Sequence, residues 1–300
     1  MRARIALVLC VASCAWSLAG PASAQTPASC KSTVTGDLRL HRLQSAIFGN
    51  TRTIRVLVPE GYDAAENRSK RYPVLYMLDG QNLFDACLSD VSHKEWQVDE
   101  TIGRLTREHA IPELIVVGID HARQKRAHEY LPYKDFANDP DMAEPAGKRF
   151  PEFLAKEVLP FVNRSYRTLT GHANTGLGGS SYGGAATLYA LMARPDTFGY
   201  ALIESPTLAI GMGQLVRDTA PLIALPRRVF IAFGGREAED PVISQKLLDL
   251  VGQVQMNFEA AGYDETNLRV VIDPQAKHDE AAWAQRFPDA VKFLFGDWKE

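Results

Sequence analysis

Residues Gly178–Gly184 read GGSSYGG, and this stretch decides the fold class. A short apolar run around Leu177 precedes it, and helical spacing of apolar residues continues over Tyr182–Arg194. In one register, 179–183, the stretch reads G-x-S-x-G. A serine in this pattern occupies a sharp strand-to-helix turn, where glycines remove side chains that would collide. The pattern predicts Ser181 as a nucleophile, the alternative being a glycine-rich turn without chemistry.

Strand-like and helix-like patterns alternate on both sides of this stretch. Apolar runs typical of buried strands, and one alternating run, lie at 51–58, 72–78, 114–119, 201–203, 229–233 and 268–272. Helical spacing covers 96–109, 150–162, 182–194, 242–261 and 280–295. The alternation predicts an α/β fold with a mostly parallel, twisted sheet of about eight strands flanked by helices.

His278 is the candidate base for the serine. Of the seven histidines, the other six precede Ser181, whereas the α/β-hydrolase fold places its histidine last in chain order. His278 also lies between the last predicted strand and the last predicted helix, which brings it to the carboxyl edge of the sheet. The alternative is a solvated loop histidine.

A carboxylate after the penultimate strand would complete a catalytic triad. Glu237 follows the run 229–233 by a short turn, so it could orient and stabilise the imidazolium. Glu239 and Asp240 on the same loop, and the more distant Glu204, remain competitors. A Ser–His dyad without an acid also remains open.

Acyl transfer further needs hydrogen-bond donors for a developing oxyanion. The backbone N–H of Tyr182 is one candidate, because it follows the nucleophile at a helix N-terminus. The N–H of Gln81, on the turn after the run 72–78, is the second. The sequence contains no metal-ligand spacing, dinucleotide fingerprint or P-loop, so neither a metal nor a cofactor is expected.

These residues resemble an esterase family. The segments that carry the resemblance are Tyr72–Asn82, Val117–Asp120, Glu129–Tyr130, Gly179–Gly184, Ser205–Pro206 and His278–Trp283. The family includes feruloyl and acetylxylan esterases, S-formylglutathione hydrolase, mycolyltransferases and bacterial esterases that cleave trilactone siderophores. The DGQN segment and the H-x-E-x-x-W ending are most similar to the siderophore branch. The resemblance implies a serine esterase, with doubt about the acid, since some members have Asp there and trilactone esterases can work as dyads.

A long connection at about 120–147 leaves the carboxyl end of a predicted strand, where open α/β sheets bind ligands. It carries Arg123 and Arg126 among several basic residues, which could attract an anionic siderophore. Tyr130, in the family-like Glu129–Tyr130 pair, is expected at the substrate. The alternatives are a solvated loop surface, a feruloyl or acetyl carbohydrate ester as substrate, or acyl transfer instead of hydrolysis.

Composition limits the other classes of function. The net charge of -3 gives no general attraction to nucleic acid, and no run after the N-terminus is long enough to span a membrane. The expected partner is a small-molecule ester, and the oligomeric state is left open. A hydrolase-like protein that binds a ligand without turnover remains the non-enzymatic alternative.

The first 24 residues have the layout of a secretory signal peptide, with cleavage after Ala24. Residues 25–300 are then a single periplasmic or secreted domain. A lipoprotein anchored at Cys14 and a buried N-terminal helix are the alternatives. The mature chain keeps Cys30 and Cys87, for which an oxidising compartment makes a disulfide plausible.

Overall fold

The structure is a computed structural model that describes residues 30–90, 93–221 and 226–299. The chain divides into two compact units, Met1–Lys31 and Ser32–Glu300. Within the first unit only Cys30 and Lys31 are described, and neither belongs to a helix or a strand. The predicted signal peptide and Cys14 lie outside the described residues.

One sheet of eight strands organises the described part of the second unit. The strands are β1 (Asp37–Gln44), β2 (Thr51–Val58), β3 (Val74–Leu78), β4 (Ile115–Ile119), β5 (Thr175–Ser180), β6 (Tyr200–Glu204), β7 (Arg228–Gly234) and β8 (Leu268–Asp273). Their order is β1-β2-β4-β3-β5-β6-β7-β8. Strands β3 to β8 run parallel, whereas β2 is antiparallel to both β1 and β4.

The buried parallel strands are those with continuous apolar sequence. Every residue of β3, β4 and β6 is buried, because helices cover both faces of the sheet. Strand β1 lies at the edge and alternates between exposed and partly buried residues. It was not predicted individually, since its sequence DLRLHRLQ mixes charged and apolar residues and Leu40 is largely exposed.

Eight α-helices surround the sheet in the described ranges. They are α1 (Val98–Arg107), α2 (Arg126–Tyr130), α3 (Phe150–Phe153), α4 (Leu159–Ser165), α5 (Tyr182–Ala193), α6 (Ile210–Asp218), α7 (Pro241–Ala260) and α8 (Glu280–Phe295). Apolar side chains of α1 and α8 belong to one core cluster, and those of the other helices belong to a second. The two clusters fill the two faces of the sheet, as the predicted layer architecture requires.

Two helical regions differ from the predicted ones. The single helix predicted at 150–162 is α3 and α4 joined by a π-helical turn, Leu154–Val158. Pro160 lies in the first turn of α4 and lacks the N–H that an unbroken helix would use there. Helix α6 was not predicted, because Gly211, Met212 and Gly213 interrupt its pattern and adopt positive φ angles.

Part of the long connection at 120–147 is helical, so less of it is irregular than the sequence indicated. It contains a 3₁₀ turn at Arg123–Lys125, directly followed by α2. In the described parts of the chain, no helix combines the length and apolar character needed to cross a membrane.

Candidate active site

Ser181 occupies the sharp turn between β5 and α5. Its backbone has φ 57° and ψ −123°, a conformation that costs a non-glycine residue about 1–3 kcal/mol. The Ser181 N–H donates to the carbonyl of Glu204 over 3.0 Å, and the Ser181 carbonyl accepts from Thr207 N–H over 3.1 Å. These bonds to the end of β6 and the loop after it hold the strained turn in place.

Close backbone contacts explain the glycines around Ser181. A Cβ added to Gly179 would lie 2.8 Å from the carbonyl carbon of Gly183, and one added to Gly184 would lie 2.9 Å from the carbonyl oxygen of Glu204. Neither side chain would fit without moving the backbone. The glycines therefore permit the turn that places Ser181 at the start of α5.

His278 and Glu237 are hydrogen-bonded to each other. The imidazole Nδ1 contacts Glu237 Oε2, with 35% of the histidine side chain exposed and only 2% of the glutamate side chain. Glu237 Oε1 accepts from Gly234 N–H over 2.7 Å and from Ser205 Oγ over 2.5 Å. Both carboxylate oxygens of this buried side chain thus have hydrogen-bond partners.

The competing carboxylates have other partners. Glu204 is fully buried and accepts from Arg286 Nη2 over 2.8 Å. Burial raises the pKa of Glu204 to about 7, with Arg286 opposing the shift and Glu237 adding to it. Asp240 caps α7 by accepting from Val242 N–H over 2.7 Å, and Glu239 is exposed. Glu237 is the acid that contacts His278.

Sheet topology brings Ser181 and the Glu237–His278 pair to one edge. Ser181 follows β5, Glu237 follows β7 and His278 follows β8, and these strands are linked through β6 in a continuous parallel series. Their carboxyl ends therefore lie along the same edge of the sheet. Within the described ranges, no hydrogen bond joins the Ser181 hydroxyl to His278, so this contact is part of the proposal below.

The two predicted oxyanion donors also lie at this edge. Tyr182 is the first residue of α5, so its N–H has no acceptor within the helix. Gln81 lies in a buried 3₁₀ turn, Gly80–Asn82, directly after β3 and the left-handed residue Asp79. Neither backbone N–H donates to another described residue. Their role as oxyanion donors is part of the proposal below.

Asp79 and Arg126 connect the Gln81 turn to the serine turn, a role that was not predicted. The guanidinium of Arg126 binds both carboxylate oxygens of Asp79, over 2.8 and 2.7 Å, and lies 3.4 Å from the carbonyl of Ser180. It also stacks near the ring of Tyr182, at 5.2 Å from the centroid. Arg126 therefore supports the site from within, and its charge is already paired.

The other residues predicted to bind substrate differ in exposure. Arg123 is 76% exposed and its guanidinium lies 3.1 Å from Asp90. Tyr130 is fully buried, with its hydroxyl accepting from Asp79 N–H over 3.2 Å. Tyr130 therefore lies beneath the site and offers no surface to a ligand, which corrects the prediction that it contacts substrate.

Two further residues, Ser205 and Trp283, contact the Glu237–His278 pair and are not among the predicted site residues. Ser205 donates to Glu237, and Trp283 packs edge-on against the His278 ring at a centroid distance of 5.1 Å. Both fall in segments that carried the family resemblance, Ser205–Pro206 and His278–Trp283. Their place in the family-like segments was the signal that could have identified them, but the sequence did not show what these residues contact.

A cavity of about 1070 Å³ opens elsewhere, beside α1. It is lined by Asp99, Glu100 and neighbouring residues, and by none of Ser181, Glu237 and His278. The chemistry of the side chains therefore locates the site better than cavity size does.

No group of three or more side chains placed to hold a metal ion occurs in the described part of the chain.

Residues 45–294 match the protein family described as "Putative esterase". The match covers most of the chain and includes Ser181, Glu237 and His278. The chain belongs to this family. It is a carboxylic ester hydrolase with the α/β-hydrolase fold, and the predicted fold class and family resemblance are confirmed.

Curated relatives of the esterase are distant in sequence. It is 23% identical over 266 residues to an uncharacterised protein, YbbA, of Bacillus subtilis, covering 83% of the esterase and 94% of the relative. It is 24% identical over 267 residues to an endo-1,4-beta-xylanase/feruloyl esterase of Xylanibacter ruminicola. That match covers 87% of the esterase and 31% of the relative, so the chain corresponds to one part of the longer protein.

Solved structures show the same fold. An IroE-like serine hydrolase from Shewanella oneidensis superposes with a TM-score of 0.69 and 22% identity, covering 88% of the esterase and 82% of that chain. The enterobactin esterase FES from Shigella flexneri, in a structure with enterobactin, has a TM-score of 0.66 and 20% identity over 88% and 60% of the two chains.

Proposed function

We propose that the esterase hydrolyses its substrate through an acyl-enzyme on Ser181, with His278 as base and Glu237 as the acid that orients it. The observation that carries this proposal is the hydrogen bond between His278 Nδ1 and a buried, fully partnered Glu237. It lies at the edge of the sheet where the strained Ser181 turn also lies.

Each step assigns a proton and a bond to a named group. His278 Nε2 takes the proton of Ser181 Oγ as the oxygen attacks the ester carbonyl carbon. The N–H groups of Tyr182 and Gln81 donate to the oxyanion that forms. The intermediate collapses when the alcohol leaves with the proton from His278. Water then attacks the acyl-enzyme by the same route and releases the acid.

Turnover of p-nitrophenyl acetate tests the nucleophile. The wild-type esterase should show a burst of nitrophenol and an acetyl-sized mass increment on the peptide that contains Ser181, and Ser181→Ala should lose both. Ser180→Ala is a matched control, because the neighbouring serine is buried at the end of β5. If Ser181→Ala kept its activity and Ser180→Ala lost it, the nucleophile would be Ser180 and the proposed assignment would be wrong.

A siderophore ester or lactone is the finer substrate proposal. Its support is the DGQN and H-x-E-x-x-W segments, together with the fold shared with the enterobactin esterase. The charge argument from the long connection is weaker than the sequence indicated. Arg123 faces Asp90, Arg126 is bound by Asp79, and Lys134 Nζ lies 3.8 Å from Glu144.

A feruloyl ester is the second candidate, favoured by this pairing of charges. Paired cations give little attraction for a multiply charged ferric siderophore, whereas a largely neutral aromatic ester does not need it. The relative from Xylanibacter ruminicola carries feruloyl esterase in its name. A comparison of kcat/KM for an enterobactin-type trilactone, a feruloyl sugar ester and an acetyl sugar ester separates the candidates. A preference of at least about 100-fold would identify the substrate class, since it corresponds to about 3 kcal/mol of transition-state binding.

We also propose export to the periplasm or medium. The signal-peptide layout at 1–24 supports it, as do Cys30 and Cys87, which are both disulfide-bonded and fit an oxidising compartment. Intact-mass measurement on protein from its own host tests it. A mature N-terminus near Gln25 is expected, a lipid-sized increment on Cys14 would indicate the anchored alternative, and a retained Met1 would contradict export.

A further inference from the structure

A chain of buried hydrogen bonds leads from the Glu237–His278 pair to Trp283. The indole Nε1 donates to Ser205 Oγ over 2.9 Å, and Ser205 Oγ donates to Glu237 Oε1 over 2.5 Å. Ser205 is 1% exposed and Trp283 is 5% exposed. The proposed mechanism gives neither residue a role.

The chemistry of the groups fixes the direction of these bonds. An indole N–H can only donate, and an ionised carboxylate can only accept. Because Ser205 Oγ accepts from Trp283, its single hydrogen points to Glu237. Glu237 Oε2 then accepts from His278 Nδ1, so the imidazole hydrogen lies on Nδ1. In the neutral imidazole Nε2 is then without a hydrogen, which is the state that a base for Ser181 requires.

The backbone at Ser205 is specialised for this position. Its φ angle is 42°, an unusual value for a residue other than glycine. The N–H of Ser205 donates to the carbonyl of Ala232 over 2.8 Å, which ties the end of β6 to β7. A strained residue that persists at an active site is held there by its surroundings. Here the strain places the hydroxyl between Glu237 and Trp283.

Trp283 also contacts the other member of the pair. Asp279 caps α8 by accepting from Ala282 N–H over 2.9 Å. The first turn of the helix therefore begins directly after His278 and places the Trp283 indole against the imidazole. The two rings meet edge to face, with planes inclined by 86°. The same side chain thus limits rotation of the imidazole and partners the serine that holds the carboxylate.

We infer that Ser205 and Trp283 are positioning residues that fix Glu237 as an acceptor and His278 in the tautomer with an unprotonated Nε2. This inference rests on the proposed function, because the tautomer matters only where His278 is the base for Ser181. In the described part of the chain, hydrogen bonds then connect four side chains, from Trp283 through Ser205 and Glu237 to His278.

Other ionisable groups face this network and stay unchanged in the test. Glu204, with its partner Arg286, lies next to Glu237. Glu280 and Asp279 follow His278 along the chain. Burial raises the pKa of Glu280, Asp279 adds to the shift, and His278 opposes it. A change in the pH profile that appears only when Ser205 or Trp283 is altered therefore reports on the hydrogen-bond chain.

Steady-state kinetics on p-nitrophenyl acetate across pH test the inference. Ser205→Ala removes one donor to Glu237, which makes the carboxylate more basic and the pair with His278 harder to deprotonate. The expected result is a kcat about tenfold lower, an unchanged KM, and an acid limb of kcat/KM that moves to higher pH. Trp283→Phe keeps the ring and removes the N–H, so about a threefold loss in kcat and a smaller shift of the limb in the same direction are expected.

Two controls match the chemical changes at distant sites. Ser45→Ala removes a buried hydroxyl that accepts from Phe48 N–H, and Trp298→Phe removes an indole N–H that donates to the carbonyl of Ala173. Both should keep the wild-type kcat and pH profile. Thermal unfolding of all variants shows whether a loss of activity follows a loss of folded protein.

The possible outcomes separate the inference from the proposed function. An unshifted acid limb in Ser205→Ala overturns the inference, whether kcat is unchanged or falls together with stability. The proposed function survives that result as long as Ser181→Ala is inactive. Activity retained by Ser181→Ala would instead remove the proposed function itself. If Trp283→Phe does not fold, Ser205→Ala alone decides, because it deletes a single oxygen.

Discussion

Two buried carboxylates in the same unit, Glu237 and Asp99, differ in the groups that surround them. Glu237 accepts hydrogen bonds from Gly234 N–H, Ser205 and His278. Asp99, at the start of α1, accepts from Thr35 N–H over 2.5 Å but lies beside the carboxylate of Glu100. Burial raises the pKa of Asp99 to about 7, the Thr35 N–H opposes the shift and Glu100 adds to it. Burial alone therefore does not decide the state of a carboxylate, and the balance of donors and acids around it does.

The unpartnered oxygens show the same difference. Asp99 Oδ1 and Glu100 Oε2 are buried and receive no hydrogen bond from the described residues. One proton shared between the two carboxyl groups would satisfy both. The Asp99 region, which holds Thr35 and the segment leading to β1, thus suits a protonated acid, whereas both oxygens of Glu237 already have hydrogen-bond donors.

The largest effect expected at the Glu237 region is on turnover. His278→Ala should lower kcat by about 10⁵-fold, because the serine loses its base. Glu237→Gln should lower kcat by about 10²- to 10⁴-fold, since the amide keeps the shape but cannot stabilise the imidazolium. Steady-state rates on one activated ester measure both losses.

Non-additivity sharpens this prediction. Ser181→Ala combined with His278→Ala should be no slower than either single variant, because both remove the same step. Losses that multiply would mean that the two residues act in separate steps. If Glu237→Gln were silent while Glu204→Gln abolished turnover, the acid would have to be reassigned.

Glu204 is intermediate between the two regions, since it is buried like both but has a single cationic partner, Arg286. Glu204→Gln should destabilise the fold by about 3–5 kcal/mol, because a buried guanidinium loses its counter-charge and cannot deprotonate. Arg286→Met should cost less at low pH, because the carboxyl left behind can take up a proton. That smaller loss should grow as the pH rises through about 7, the pKa to which burial already raises Glu204.

Urea unfolding at pH 5.5 and pH 8 measures these differences. The surviving Glu204→Gln protein should keep most of its kcat, since only the backbone carbonyl of residue 204 contacts Ser181. Equal stability losses at both pH values in Arg286→Met would show that Glu204 does not change its protonation state between pH 5.5 and pH 8, which contradicts a folded pKa of about 7.

The free energy of unfolding should also depend on pH through the Asp99 region, with a smaller effect than at Glu204. The folded pKa of Asp99, about 7, lies above the unfolded value of 3.8. The folded state therefore holds a proton that the unfolded state has released, and this contribution to stability is lost as the pH rises from about 4 to about 7. Asp99→Asn keeps an acceptor for Thr35 and adds a donor for Glu100, so it should stabilise the protein at pH 8 by about 1 kcal/mol.

A stability-versus-pH curve checks this sign. The curve of Asp99→Asn should be flatter than that of the wild type between pH 4 and pH 7. Asp85→Asn is a useful contrast, because hydrogen bonds from Ser32, Cys87 and Thr33 outweigh its burial and lower the pKa of Asp85. That variant should lose stability at neutral pH, and a gain in both variants would remove the distinction between the two kinds of carboxylate.

The sequence predicted where in the fold the candidate residues lie when that position depends on chain order and strand ends. The positions of Ser181 and His278 follow from the turn pattern and from the order of the fold, and the seven strand-like runs correspond to β2–β8. The partners that cross between loops were not predictable. Arg126 appeared to be a free basic residue, because nothing in the sequence shows that Asp79 adopts a left-handed conformation and accepts hydrogen bonds from Arg126 Nε and Nη2. Ser205 was hidden for the same reason, since its bond to Glu237 spans 32 positions.

Changes to the exposed charges on the long connection should have the smallest effect on stability. Arg123 is 76% exposed beside Asp90, and Lys125 lies on the exposed 3₁₀ turn with it. Exposed pairs contribute little to stability, about 0–1 kcal/mol, so Arg123→Glu with Lys125→Glu should leave unfolding nearly unchanged. Arg126 must stay intact in this test because it binds Asp79 within the site.

The consequence for substrate binding depends on the charge of the ester. If an anionic siderophore is the substrate, the doubly reversed variant should have a several-fold higher KM for it and an unchanged kcat, because these charges contribute equally to ground-state and transition-state binding. The effect should disappear in 1 M salt, where the Debye length falls to about 3 Å. A neutral ester such as p-nitrophenyl acetate should be indifferent to the same changes. Equal losses on charged and neutral esters would mean that the connection shapes the pocket, and no loss on either would remove the electrostatic support for a siderophore and favour the feruloyl ester.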